Sequence, residues 1–92
     1  MEKVRAKLII EGRVQGVFFR HHTREKAFQL GVQGWVRNRR DGKVEAVLEG
    51  DKEAVDQLIR WCHRGPEEAQ VKKVHVTWEP YTGEFGDFSI TY

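Results

Sequence analysis

An α+β sandwich, with two helices on one face of an antiparallel sheet, is the fold class that this sequence predicts. Three observations predict it. Short stretches of alternating apolar residues occur five times along the chain. Two stretches of helix formers with apolar residues at helical spacing follow the first and third of them. Glycine, Asp-Gly or Gly-Pro marks the boundaries between them. The resulting order, β-α-β-β-α-β plus a short C-terminal strand, is the ferredoxin-like split βαβ arrangement.

The first strand has Val4, Ala6, Leu8 and Ile10 alternating with Lys3, Arg5, Lys7 and Ile9, and Gly12 ends it. A loop leads into a helix over His21 to Leu30, where Thr23, Ala27 and Leu30 recur at helical spacing and Gly31 is the stop. The second strand runs from Val32 to Arg39. Arg40-Asp41-Gly42-Lys43 turns it into the third, Val44 to Glu49, with Val44, Ala46 and Leu48 on one face and Glu45, Val47 and Glu49 on the other. Asp51 and Glu53 open a second helix, favoured there by its dipole. Ala54, Val55, Leu58, Ile59 and Cys62 form the apolar stripe of that helix, and Gly65-Pro66 ends it. Val74, Val76 and Trp78 are in phase on a fourth strand, and Phe88, Ile90 and Tyr92 on a last short one. With both helices on one face, the other face of the sheet is expected to meet water through residues such as Lys7, Glu45 and Lys73.

Ninety-two residues bound one domain, placed at residues 3–92. Charged residues make up 33% and hydrophobic residues 39%, which excludes a disordered chain. No apolar run approaches the roughly 20 residues of a membrane span, and MEKVRAKLII lacks the pattern of a signal peptide. Cys62 is the only cysteine, so no intrachain disulfide can form, which suits a cytoplasmic setting. Scarce Asn, Cys and Met beside abundant Arg and Glu suit heat tolerance. The net charge of +2 hides an asymmetry: residues 1–43 hold 11 Lys/Arg and 4 Asp/Glu (+7), and residues 44–92 hold 5 and 10 (−5). A basic first half points to an anionic partner, or to cations that simply solvate strand faces.

The loop GRVQGVFFR, residues 12 to 20, joins a strand to a helix. Such a join presents unpaired N–H groups and the positive end of a helix dipole, and Gly12 and Gly16 let the backbone curl into a concave row of donors. Arg20 can add a bidentate grip on an anion, with Val17, Phe18 and Phe19 as apolar walls. The Walker and dinucleotide patterns are both missing, so spacing leaves two readings open, an anion cradle or a plain strand–helix join. Asn38, the only asparagine, falls near the end of a strand before a hairpin. It can orient a water, or serve as a turn former. His21 and His22 are adjacent, with His63 and His75 far along the chain, a spacing that does not make a metal site. His22 is a candidate for the cleft edge. Cys62 reads as core, and Trp35, Trp61 and Trp78 read as packing residues rather than ligand platforms.

GRVQGVFFR, GWVRN and DGKVEAVLEG, with the spacing between them, closely resemble the acylphosphatase family, and VKKV after Gly65-Pro66 and the closing FGDFSITY are similar to its C-terminal half. The resemblance covers essentially residues 3–92. It implies a monomeric, cofactor-free and metal-free hydrolase that splits small acyl phosphates into carboxylate and inorganic phosphate, the latter also an inhibitor. Its phosphate-binding arginine falls on Arg20, its water-orienting asparagine on Asn38, and its backbone N–H cradle on Gln15, Gly16, Val17, Phe18, Phe19 and Arg20. Phe18 stands where the family also uses small residues, so it shapes the mouth and is not catalytic.

Two rivals share the topology. An RNA-binding domain would stack bases on aromatics of the third strand, but KVEAVLEG has two glutamates and no aromatic there, so nucleic acid is not expected. A non-catalytic accessory module on the same scaffold is the other. The presence of both Arg20 and Asn38, in a chain ending at Tyr92, favours a free-standing enzyme.

Overall fold

The computed structural model describes residues 2–92. Seven elements follow one another: β1 (Lys3–Arg13), α1 (Phe19–Leu30), β2 (Gln33–Asn38), β3 (Val44–Asp51), α2 (Lys52–Arg64), β4 (Gln70–Glu79) and β5 (Phe88–Thr91). The five strands form one sheet in the order β4-β1-β3-β2-β5. Both helices pack on the face formed by Ala6, Leu8, Ile10, Val36, Val44, Ala46 and Leu48, and close the core with Phe19, Ala27, Val55, Leu58 and Cys62. The period-2 pattern of β1 and β3 therefore becomes the floor of the core. Among the described residues no helix is long and apolar enough to cross a membrane.

The sheet is mixed, not wholly antiparallel as expected. Three neighbouring pairs are antiparallel, but β5 runs parallel to β2. The reason is topological. The chain leaves β4 at one sheet edge and re-enters at the other edge, on the same end of the sheet. It must then run back in the direction of β2. Four inter-strand steps span about 19 Å, and the eight residues 80–87 can cover up to about 28 Å.

Helix α1 begins at Phe19, two residues before the expected start at His21. Its N-cap residue Phe18 makes no side-chain capping bond, so the usual Ser, Thr, Asp or Asn signal is absent from the sequence. Trp78 faces the same way as Val74 and Val76 but is half exposed beyond the start of α2, with Lys52 Nζ 5.6 Å from its ring centre. The face without helices is less open than expected, because Glu45 and Glu49 are buried on it. Those glutamates on β3 are engaged by Arg5, Lys7 and Arg37.

Candidate functional site

The site lies at the end of the sheet where β1, β2 and β5 finish and α1 begins. Against β4, the register of β1 shifts between Glu11 and Gly12. A Cβ on Gly12 would stand 2.1 Å from the Gln70 carbonyl oxygen, so only glycine lets the two backbones meet there. The chain then takes left-handed backbone twice, at Gly16 (φ 74°) and at Phe18 (φ 61°, ψ 25°). Left-handed residues alternating with ordinary ones gather consecutive N–H groups into a nest. The N–H groups of Gln15 to Arg20 donate to no acceptor among the described residues, and the first helical bond of α1 runs from His22 N–H to Phe18 O at 3.1 Å. Thr23, fully buried, donates its hydroxyl to Phe19 O at 2.7 Å and fixes the first turn from within.

Arg20 sits in that first turn with its guanidinium carbon 5.5 Å from the Tyr92 ring centre, a cation–π contact that draws the side chain toward the end of β5. Asn38 ends β2 opposite Val44. Its Oδ1 is buried and accepts no hydrogen bond, the one such side-chain atom among the described residues. An unpaired buried acceptor costs about 1–3 kcal/mol, so its persistence calls for a use.

Gly16, Phe18, Phe19 and Arg20 share with Asn38 a cavity of about 270 Å³, and Val14, His21, Ile90 and Tyr92 complete its lining. That size suits a small ligand. The expected residues Gly16, Phe18, Phe19, Arg20 and Asn38 are thus brought together. Val17 is instead packed in the core, and the Gln15 side chain turns away to the β2–β3 hairpin. His22 lies in a separate groove of about 730 Å³ with Trp61 and Arg64, so the histidine at the cavity is His21. Val14, Ile90 and Tyr92 went unnoticed in the sequence. The in-phase run Phe88, Ile90, Tyr92 was visible, but its place beside β2 follows from the crossover alone.

Burial pushes the Cys62 thiol up to about 12, which keeps it neutral and inert in the core. Among the described residues no three His, Cys, Asp or Glu side chains converge as a metal-ligand set.

The family model described as Acylphosphatase matches residues 6–90 of the chain. The chain belongs to the acylphosphatase family. A protein named acylphosphatase from Pelotomaculum thermopropionicum is 53% identical over 92 residues, covering all of both chains. Another of that name from Pyrobaculum islandicum is 58% identical over 98% of this chain and 96% of its own. The crystal structure of acylphosphatase from Bacillus subtilis superposes with a TM-score of 0.93 at 34% identity, over 97% of this chain and 99% of that one. The matched residues include the loop, α1, β2 and β5 as far as Ile90, and thus every lining residue of the cavity except Tyr92.

Proposed function

We propose that the cavity hydrolyses acyl phosphates to a carboxylate and inorganic phosphate. The backbone N–H groups of Gln15 to Arg20 and the Arg20 guanidinium hold the phosphoryl group, and Asn38 orients the attacking water. One observation carries this reading: loop residues whose N–H groups have no intramolecular acceptor among the described residues line one small cavity together with Arg20 and with Asn38, whose amide oxygen is left without a partner. Free N–H groups at a helix start attract an anion and the unmatched buried oxygen is costly; a phosphoryl group with an in-line water answers both.

The chemistry needs little else. A water oxygen bonds to phosphorus while the phosphorus–acyl oxygen bond breaks, and the electron pair leaves with the carboxylate. That anion is already stable at neutral pH, so no side chain need protonate it. The proton released by the water passes to a phosphate oxygen of the substrate. Catalysis is then positioning by Asn38 and charge stabilisation by the loop and Arg20. A cytoplasmic setting and no nucleic-acid partner complete the reading, supported respectively by the single buried cysteine and the acidic third strand.

Hydrolysis of benzoyl phosphate, with inorganic phosphate as competitor, tests it. Arg20→Ala should lower kcat/KM by about 10²–10³ and weaken inhibition by phosphate. Asn38→Ala should lower kcat with little change in KM. Wild-type activity untouched by either substitution sinks the site assignment, and no hydrolysis above the spontaneous rate sinks the activity.

A further inference from the structure

The Gln15 side chain leaves the cavity, yet it makes the most specific long-range contact of the loop. Its Nε2 donates to Arg39 O at 2.7 Å and to Lys43 O at 2.9 Å, across 24 and 28 residues of sequence. A primary amide nitrogen carries two protons, and both are used here. The two acceptors are the neck of the β2–β3 hairpin, where Arg39 N–H also donates to Lys43 O at 2.8 Å and Gly42 N–H to Arg39 O at 3.2 Å. Asn38 is the residue immediately before that neck.

The sheet ties Asn38 to the loop only indirectly, through Val44 of β3, which pairs with Ile10 of β1. On one side Asn38 pairs with Val44 of β3, but on the other the β2–β5 ladder stops at Arg37 and Thr91. The chain that carries Arg20 and the chain that carries Asn38 meet through this amide, one residue from Gly16 on one side and one from Asn38 on the other. We propose that Gln15 is a positioning residue for the hydrolysis. Its side chain staples the phosphate loop to the hairpin neck and sets where the water held by Asn38 stands relative to phosphorus. The inference rests on the roles of Arg20 and Asn38 proposed above. It adds a function for a side chain whose backbone alone would serve the cradle.

Gln15→Met keeps the length of the side chain and removes both donors. Its kcat for benzoyl phosphate should fall by about 10- to 100-fold, the scale of an ångström-sized misplacement. Inhibition by inorganic phosphate should stay within about twofold of wild type, because the cradle itself is intact. Gln15→Met in the Asn38→Ala background should cost almost nothing more, since a lost water-orienting amide cannot be misplaced. Gln15→Glu sets a carboxylate against two carbonyl oxygens, so its kcat relative to wild type at the same pH should recover as the pH falls and the group regains a proton to donate. A purely structural residue would move the melting temperature without this pH signature or this non-additivity. If Gln15→Met keeps wild-type kcat while Asn38→Ala loses it, the staple is overturned and the proposed function survives. Additive losses, or a loss confined to phosphate affinity, overturn it too. If Asn38→Ala is fully active, both inferences fall together.

Discussion

Phe18 holds a left-handed backbone, φ 61° and ψ 25°, which costs a residue with a Cβ about 1–2 kcal/mol. Its ring is 71% exposed, so burial returns little of that cost. The strain is stored where the nest needs its second left-handed residue. Phe18→Gly should therefore raise the unfolding free energy by up to about 1 kcal/mol, after allowing for the extra chain entropy of glycine. Urea denaturation measures it, and a loss of stability would mean that the exposed ring contributes more packing than its exposure suggests. At this scale the sequence was readable where a residue type answers a backbone demand. Gly12 and Gly16 are legible in that way, whereas the residue types of Arg20 and Asn38 leave two readings open and their roles come only with the resemblance to the acylphosphatase family. Phe18 was not readable as a left-handed cap, because nothing in a phenylalanine announces positive φ. Nor was the staple of Gln15, whose partners are set by two backbone carbonyls that carry no side-chain signature.

Among the elements, the crossover of residues 80–87 is the part whose placement the sequence concealed. It has no periodicity, yet it lies against the helix-free face and covers the carboxylate of Glu49. That carboxylate is 1% exposed and accepts from Thr82 N–H at 3.0 Å, Thr82 Oγ1 at 2.9 Å, Gly83 N–H at 3.1 Å and Arg5 at 3.1 Å. Burial alone would raise its pKa, but these donors together outweigh it and hold the group below its ordinary value. A depressed carboxylate contributes stability that is complete above its unfolded pKa and is lost as the pH falls through the folded one. The loss thus begins near pH 4.5, the ordinary value, and deepens below it. Glu49→Gln should unfold more easily at pH 7 by about 1–3 kcal/mol, with a flatter pH dependence, so that the two curves approach each other in acid. Urea midpoints between pH 3 and 7 check this, and parallel curves would exclude Glu49 as the source of acid sensitivity. The alternation of Glu45, Val47 and Glu49 was legible, and correctly put all three on one face. That the glutamates would be buried was not, because their cover comes from a neighbouring strand and a distant loop.

For the whole molecule, the charge asymmetry of the sequence is partly offset in the fold, where four of the eleven cations of the first half pair with acids of the second. Basic β1 lies beside acidic β3, and Glu79 at the end of β4 and Glu84 of the crossover add to the carboxylates that its cations meet. Lys3 meets Asp51, Lys7 and Arg37 meet Glu45, and Arg5 meets Glu49, Glu79 and Glu84. These cations therefore face their own sheet, where carboxylates pair with them, and not solvent alone as the simple alternative expected. Isolated exposed pairs contribute at most about 1 kcal/mol each. A shared network is different, because one guanidinium bonded to three carboxylates loses little extra entropy for each added partner, and its desolvation penalty falls with temperature. The chain should accordingly melt above the roughly 45–65 °C at which mesophilic domains cluster. In 1 M KCl the Debye length shrinks to about 3 Å, which weakens exposed pairs such as Lys52–Asp56. The Glu45 and Glu49 pairs are buried on the carboxylate side and escape most of that screening. The melting temperature should therefore fall by less than about 5 °C in high salt. Calorimetry at low and high salt decides it: a melt within the mesophilic range would remove the network as a source of heat tolerance, and a collapse in high salt would show that the exposed pairs carry the stability instead.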